Sequence, residues 1–474
     1  MTLHCVVLAA GQGTRMKSRR PKVLHRVAGR PMLGCVLAAV ERLGIARPLV
    51  VVGFGADEVK REIGPSVEYV LQAEQRGTGH AVMQARPLLE RLQGDLLVVY
   101  GDTPLLRTET LAQLARFHQE EGAQATVLTA ILPDPTGYGR IIRKAETGEV
   151  LRIVEEKDAT PVEKAFREIN TGIYCFDLPM LLAVLDRLQP NNAQGEYYLT
   201  DAIALIREAG GKVAALAAAE PVEVQGVNSR EQLAGVEAEL RAAKNRELMA
   251  AGVTLMDPRS TFIDLDVQVG RDTIIYPFTW LEGATRVGEE CVLGPSTRII
   301  DSVLGDGVTV EQSVLREAEV ASGVSIGPFA YLRPGARIAE GAKVGDFVEI
   351  KNSRVGAGTK VPHHSYIGDA ELGAGVNIGA GTITCNYDGE RKHKTVVGDG
   401  CFIGANTNLV APVTVADGAY VASGSTITSD VPAGALGVAR GRQRNVEGWV
   451  ARRRNAPGAL EPGGTGPGAG EGED

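Results

Sequence analysis

Paired cysteines are missing from this 474-residue chain. The six cysteines, Cys5, Cys35, Cys175, Cys291, Cys385 and Cys401, include no C-x-x-C pair, which argues against a disulfide framework and a zinc knuckle and fits a reducing compartment. Long apolar runs are missing too. No stretch approaches the length of a membrane span, and the strand-like run from Leu3 to Ala10 begins at once. A cytoplasmic protein that does not engage a membrane is therefore expected. Positive charge is not in excess: 50 Lys and Arg face 58 Asp and Glu, for a formal charge of −8. That balance gives no general attraction to nucleic acid, so any anion site has to come from local arrangement. Aromatics amount to 5% while glycine reaches 58 residues, a composition that suits a repeat with tight corners.

What the chain does have is a beat. From Val269 an aliphatic residue recurs every sixth position through Ile275, Leu281, Val287, Leu293 and Ile299. The beat resumes at Val320, Ile326, Leu332, Ile338, Val344 and Ile350, and again from Val397 through Ile403, Leu409, Val415, Val421 and Ile427. One apolar side chain in six residues cannot bury itself, so successive coils must stack into a β-solenoid with a continuous core. Residues before Gly252 have a different texture, and the length exceeds what one core organises. The expected division is an α/β domain over 1–228, a linker helix over 229–252, a β-solenoid over 253–455 and a Gly/Pro-rich disordered extension over 456–474.

The run ending at Ala10 leads into Gly11-Gln12-Gly13-Thr14-Arg15 and a helix start, an order that places backbone amides around phosphate. It is neither a dinucleotide fingerprint, which needs a third glycine where Met16 stands, nor a Walker loop, which needs Gly-Lys-Ser/Thr. Alone, such a turn is weak evidence. Arg15 and Lys22 add two cations that can face a polyphosphate. The segment Asp95 to Asp102 is a short apolar run ending in an acid. In a parallel α/β sheet ligands lie beyond the carboxyl ends of the strands, and an oxygen ligand there suits magnesium, which shares its shell with substrate phosphates. A helix cap is the competing reading of Asp102. Between these, Gln72 to His80 is a glycine turn entering a helix and open to a planar base; the side chain of His80 reads as ordinary helix surface or packing.

Ser229-Arg230-Glu231-Gln232 is a capping box, with Leu233, Val236, Leu240 and Leu248 following at helical spacing. One long helix should join the halves, leaving the solenoid from Val253 mechanically separate. Strand alternation points Arg333 and Lys351 outward. With six residues on each side of a three-sided coil, positions eighteen apart stack at about 4.8 Å, and Arg333 and Lys351 are such a pair. Two like charges about 5 Å apart repel by on the order of 3 kcal/mol at an effective dielectric near 20. An anion between them relieves this; neutralisation by Glu349 and Asp346 is the alternative. His363 and His364 face opposite ways, a poor metal pair, but a histidine beside a cationic phosphate pocket suits a general base. From Asn377 to Lys394 a polar excursion breaks the beat, and excursions from solenoids commonly carry function.

The segment Leu8 to Lys22 resembles the signature of the sugar nucleotidyltransferases, Leu-x-x-Gly-x-Gly-Thr-x-Met, four residues, Pro-Lys. Over nearly its whole length the chain is similar to the family within that group whose members join a uridyltransferase to an N-acetyltransferase. The supporting segments include Gln72 to His80, Tyr100-Gly101-Asp102, Pro135 to Arg140, Glu155, Glu168 to Gly172, Asn192 to Asp201 and Gly226 to Asn228. The resemblance implies an α/β fold in which a Rossmann-like nucleotidyltransferase domain is followed by a linker helix and a left-handed parallel β-helix. By it, Leu8, Ala9, Ala10, Gly11, Arg15 and Lys22 meet the nucleotide phosphates, and Gln72, Gly77 and Thr78 read uracil. Tyr100 and Gly101 line the pocket, Gly139, Glu155 and Asn170 hold the acetylated sugar, and Asp102 with Asn228 binds Mg2+.

In the solenoid the resemblance makes His363 the base that deprotonates the sugar amine and Glu349 the carboxylate that orients it. Arg333 and Lys351 hold the sugar phosphate, Tyr366, Asn377 and Asn386 the sugar, and the Ala380 amide the thioester oxygen. Asn386, Tyr387, Ala405, Ser423 and Arg440 line the acetyl-CoA side. Ala405 stands where the family often has Ser, and Ser423 where Ala is common. The implied substrates are UTP, N-acetylglucosamine 1-phosphate, glucosamine 1-phosphate and acetyl-CoA. The implied assembly is a homotrimer, and the product is a precursor of peptidoglycan and lipopolysaccharide-type polymers. The alternative is a sugar-1-phosphate nucleotidyltransferase whose β-helix serves assembly only.

Overall fold

Val6 and Leu8 of the first strand, β1 (Leu3–Ala9), pack into one hydrophobic cluster, while Cys5, Val7 and Ala9 pack into another. A strand without a polar side belongs inside a sheet covered on both faces, and that is where the computed structural model, which describes residues 2–454, places it. By density of contacts the chain divides into two compact units, one ending at Pro334 and the other beginning at Gly335. The boundary lies inside the repeat rather than near Gly252, because a coil touches only its neighbours and no cut through a solenoid crosses many contacts. The expected extension over 456–474 lies outside the described residues.

In the first unit the sheet continues with β2 (Leu49–Val52), β3 (Glu68–Leu71), β4 (Asp95–Tyr100), β5 (Ala125–Ile131), β6 (Gly139–Arg143), β7 (Val150–Val154), β8 (Glu168–Asp177) and β9 (Val213–Ala217). Their order is β9-β5-β8-β4-β1-β2-β3, with β6 bonded to β8 and β7 to β6. The sheet is mixed rather than wholly parallel: β6 and β7 form a hairpin, and β8 returns antiparallel to β6, β4 and β5. The neighbours β1 and β4 are parallel, with Leu8 opposite Tyr100. The turns after these strands, at Gly11 and at Asp102, therefore leave the sheet side by side. Helix α1 (Thr78–Leu89) follows the turn after β3.

Helix α2 (Arg230–Ala250) starts where the sequence predicts. The Ser229 hydroxyl accepts from the Gln232 amide at 3.2 Å, and the Gln232 side-chain oxygen accepts from the Ser229 amide at 3.1 Å. Val236 is buried, and Leu233 and Leu240 are half-buried, against Met16, Val27 and Met32. The expected mechanical separation of the first coils does not hold. Asn245 Nδ2 donates to Pro258 O at 2.8 Å and Thr261 O at 3.2 Å, Leu265 N donates to Ala28 O at 3.0 Å, and Arg30 forms an ion pair with Asp266. The first coils are pinned to both the helix and the amino-terminal domain.

From Val253 to Pro334 short parallel strands stack in three ladders, for example Ile275 on Leu293, Leu281 on Ile299 and Val269 on Val287. The second unit repeats the arrangement, with Ile338 on Val355, Val344 on Val361 and Ile350 on Ile367. All of these aliphatics except Val269 are buried. The coil length is not constant. Asp399 and Asp417 meet across 18 residues, whereas Asp346 and His363 meet across 17. All six cysteines are free, in line with the expectation of no disulfides.

Replacing Ser229 by Ala removes the side-chain acceptor at the start of α2 and should cost about 1 kcal/mol. Hydrogen exchange at the amides of Glu231 and Gln232 should accelerate by roughly fivefold, the exchange equivalent of that energy, while amides in the middle of the helix keep their rates.

Candidate functional site

A cavity of about 560 Å3 opens at the carboxyl ends of β1 and β4. Leu8, Ala9, Ala10, Gly11, Lys22, Gln72, Gly77, Thr78, Tyr100, Asp102 and Asn228 all line it. Lys22 is the hub of its charged end: the ammonium donates to the Asp102 carboxylate and, at 3.0 Å, to Asn228 Oδ1. These residues come from three distant stretches, and both charged side chains are largely buried, 12% and 14% exposed. The pair is thus shielded from the solvent screening that weakens surface ion pairs. Gly13, at φ +66°, lets the turn lie against Lys22; an added Cβ would meet the lysine Cβ at 2.6 Å.

At the other wall, Gly77 adopts φ +105°, and a Cβ there would meet the Tyr197 carbonyl oxygen at 2.5 Å. Only glycine allows this close passage. Thr78 Oγ1 accepts from Leu199 N at 3.0 Å, and Gln72 Nε2 donates to Gly77 O at 3.1 Å.

Gly139, Glu155 and Asn170 form a cluster of their own. Gly139 pairs with Asn170 across β6 and β8, and a Cβ on Gly139 would lie 3.4 Å from Glu155 Oε2. The Thr200 hydroxyl donates to Glu155 Oε1 at 3.3 Å. Burial pushes the Glu155 carboxyl above its ordinary range, opposed by the Thr200 bond and reinforced by Asp201, Asp158 and Glu196. Asn170 Oδ1 accepts from Gly172 N at 3.1 Å, and Gly172 backs onto the Tyr100 ring. Gly101 is buried beneath the wall, beside Val23 and Leu33. Arg15 stands exposed on the turn Thr14–Met16, away from the cavity lining. The wall also includes Gln75, Tyr138, Thr171 and Glu196. All four fall within segments that carry the family resemblance, which is the signal that could have found them.

In the second unit, Asp346 and His363 lie opposite each other on adjacent coils. Nδ1 of the imidazole is 2.5 Å from Asp346 Oδ1. That bond is the main cause holding the Asp346 carboxyl below its usual range. Glu349, expected to orient the imidazole, lies instead on the neighbouring ladder, opposite Tyr366. The physical reason is coil length: at 17 residues per coil the register brings Asp346 to His363. His364 is turned away at a corner with φ 45° and stacks on Phe347, ring centroids 5.0 Å apart. Its Nε2 reaches no nearer than 4.0 Å to Asp346. The carboxylate therefore engages His363 rather than its neighbour.

Lys351 has a cationic companion that the sequence did not reveal. The ammonium of Lys392, on the polar excursion, lies so close that Lys351 holds it below the ordinary lysine range. Nearby, Asn386 Nδ2 donates to Asp369 Oδ2 at 2.5 Å and to the Tyr366 hydroxyl at 3.5 Å. Arg333 belongs to the first unit, with its guanidinium 6.0 Å from the centre of the Tyr331 ring. Along another corner of the second unit, small residues follow one another on successive coils. A Cβ on Gly379 would meet Ala405 N at 2.5 Å, and one on Gly404 would meet Ser423 N at 2.4 Å. The Ala380 N–H has no hydrogen-bond partner among the described residues. Arg440 closes the column by donating to Ser423 O at 3.0 Å. Asn377 sits between Lys360 and Phe402 in its ladder, and Tyr387 is exposed on the excursion.

A cavity with the Lys22–Asp102–Asn228 cluster at one end, and a solenoid carrying a carboxylate-bound imidazole, fit a nucleotidyltransferase joined to a hexapeptide-repeat acyltransferase. Comparison with known proteins agrees: residues 4–220 match the nucleotidyl transferase family, and residues 394–429 match the bacterial transferase hexapeptide (six repeats). Proteins called bifunctional protein GlmU are similar over almost the full length. That of Heliobacterium modesticaldum is 55% identical over 94% of this chain and 98% of its own. That of Pelotomaculum thermopropionicum is 57% identical over 96% and 99%, and that of Brevibacillus brevis 54% over 94% and 96%. The chain belongs to the bifunctional GlmU family. Its fold is a nucleotidyltransferase domain followed by a left-handed parallel β-helix, and it is a uridyltransferase and an N-acetyltransferase in one chain.

Because burial raises the Glu155 carboxyl, the folded state retains that proton to higher pH than the unfolded chain does. Stability is then lost as pH rises from the ordinary carboxylate value, about 4.3, through the folded value. Glu155→Gln should melt higher than the parent at pH 8 and converge with it in acid. Denaturation midpoints across pH check this.

Proposed function

We propose that the amino-terminal cavity binds UTP with its triphosphate at Lys22 and its uracil between Gln72, Gly77 and Thr78, and N-acetylglucosamine 1-phosphate near Gly139, Glu155 and Asn170. The sugar phosphate oxygen attacks the α-phosphorus of UTP, one P–O bond forms as another breaks, and pyrophosphate leaves. No covalent enzyme intermediate is needed. The chain's work is alignment plus preorganised charge. Asp102 and Asn228 offer one carboxylate and one amide oxygen, a hard-donor pair that fits Mg2+ when substrate phosphates and water complete the shell. Bound there, the ion would neutralise triphosphate charge. Lys22, bonded to the same two residues, supplies a second positive charge, and Arg15 a third from the turn.

The β-helix is the acetyltransferase. The observation that carries its mechanism is the Asp346–His363 hydrogen bond. A carboxylate can only accept, so the Nδ1 proton points to Asp346 and Nε2 keeps its lone pair. Nε2 takes a proton from the amine of glucosamine 1-phosphate as the nitrogen attacks the thioester carbon of acetyl-CoA. The developing oxyanion is met by the Ala380 N–H, and collapse expels the CoA sulfur, which takes the proton from His363. Lys351 and Lys392 hold the sugar phosphate; two ammonium groups this close favour an anion between them. Tyr366, Asn377 and Asn386 hold the sugar, with Glu349 beside Tyr366. Acetyl-CoA follows the small-residue column past Ala405 and Ser423 to Arg440, with Tyr387 flanking it. At Ala405 no hydroxyl is available, so contact there is through the backbone. A purely structural β-helix is disfavoured by the bonded imidazole and the paired lysines.

The hexapeptide repeat supports a homotrimer, and no helix among the described residues is long and apolar enough to cross a membrane. Together with free cysteines, this supports the cytoplasm as the working compartment.

Asp346→Asn should lower kcat for acetyl transfer by roughly a hundredfold, the scale of a misdirected general base, and leave pyrophosphate release from UTP and N-acetylglucosamine 1-phosphate unchanged. Retention of full acetyl transfer would remove Asp346 from the mechanism.

A further inference from the structure

His80 sits three residues into α1, on the helix that carries Thr78, and joins two glutamine side chains. Gln72 Nε2 lies 3.1 Å from Gly77 O and 3.0 Å from His80 Nδ1. On the far side of the ring, Nε2 lies 3.1 Å from the Gln84 side-chain amide. The polarity of this chain can be worked out from its fixed end. A backbone carbonyl accepts only, so the Gln72 amide must present its nitrogen to Gly77, and that nitrogen's other proton points at His80 Nδ1. Nδ1 then carries no proton, and the neutral ring is protonated at Nε2. An imidazole cannot accept at both nitrogens, so Gln84 is the amide that turns its oxygen to the ring.

With both protons of its amide engaged, Gln72 has one polar atom left. Its amide oxygen has no hydrogen-bond partner among the described residues, and the side chain, 3% exposed, lines the cavity. A pyrimidine edge reads such an oxygen by its own polarity. Uracil presents N3–H, a donor; cytosine presents N3 as a lone pair, which would oppose the oxygen.

The Gly77 carbonyl sets which end of the Gln72 amide donates; we infer that His80, by taking that nitrogen's second proton, is a positioning residue that holds the amide with its oxygen toward the cavity and thereby makes the cavity select uracil over cytosine. This rests on the reading that Gln72 faces the base. His80 touches no substrate; it acts through Gln72, and Gln84 acts through His80.

The test compares kcat/KM for UTP and CTP, with N-acetylglucosamine 1-phosphate as acceptor, in the full-length chain and in His80→Ala, His80→Asn and Gln72→Ala. Acetyl transfer and the KM for the sugar phosphate serve as controls on folding. His80→Ala should lower the UTP-to-CTP ratio by about tenfold, the scale of one lost polar discrimination, through the KM for UTP and with kcat little changed. His80→Asn, which can offer Gln72 a side-chain oxygen, should recover most of the ratio. If Gln72→Ala collapses the ratio but His80→Ala leaves it intact, Gln72 reads the base unaided and the role of His80 is overturned. If neither substitution changes the ratio, the placement of uracil at Gln72 fails and takes the inference with it. A fall that His80→Asn does not recover, accompanied by an equal rise in the KM for sugar phosphate, would make His80 a packing residue and likewise overturn the inference.

Discussion

Parallel coils stacked in register, about 4.8 Å apart, decide which side chains of the β-helix can meet. Apolar residues such as Val344 and Val361 lock the ladder from inside, so the outward residues have no freedom to choose partners. The length of one coil then becomes a chemical variable. At 17 residues, His363 meets the carboxylate of Asp346; at 18 it would meet Gly345, which has no side chain. The corners at Phe347 and His364, both with positive φ, end the strands there and send the second histidine onto an aromatic ring instead of the carboxylate.

The amino-terminal half reaches a comparable result by another route. Adjacent strand ends, rather than stacked coils, gather Lys22, Asp102 and Asn228 from 80 and 206 positions apart along the chain. A central strand buried on both faces cannot shift register without exposing its aliphatics, so the turns beyond β1 and β4 stay side by side. Glycines then decide how closely other chain segments approach: Gly13 beside Lys22, Gly77 beneath the Tyr197 carbonyl. Each half thus uses a rigid apolar frame to hold a few polar atoms where water alone would not order them.

Much of this was legible in the sequence, for identifiable reasons. The six-residue beat announces coils because burial of one aliphatic per side has no other regular solution, and the capping box at Ser229 marks a helix start by local bonding alone. That the turn at Gly11 and the acid at Asp102 meet in one cavity was legible because strand, turn and charge follow each other directly. The partner of His363 was not, since a slip of one residue per coil is invisible to a count that assumes six per side. Lys392 was hidden because the excursion that carries it folds back by tertiary contact, and the antiparallel return of β8 because strand direction leaves no mark on composition. The orientation of the Gln72 amide depends on its bonds to the Gly77 carbonyl and to His80, which no local pattern encodes.

One chain carries two transfer activities, and the product of the acetyltransferase is the substrate of the uridyltransferase. The most direct measurement supplies glucosamine 1-phosphate, acetyl-CoA, UTP and magnesium, and follows free thiol and pyrophosphate together. Thiol should appear first and pyrophosphate after a lag, while N-acetylglucosamine 1-phosphate supplied instead should give pyrophosphate at once with no thiol. Pyrophosphate released from glucosamine 1-phosphate without any thiol, or no thiol under any of these conditions, would contradict this scheme.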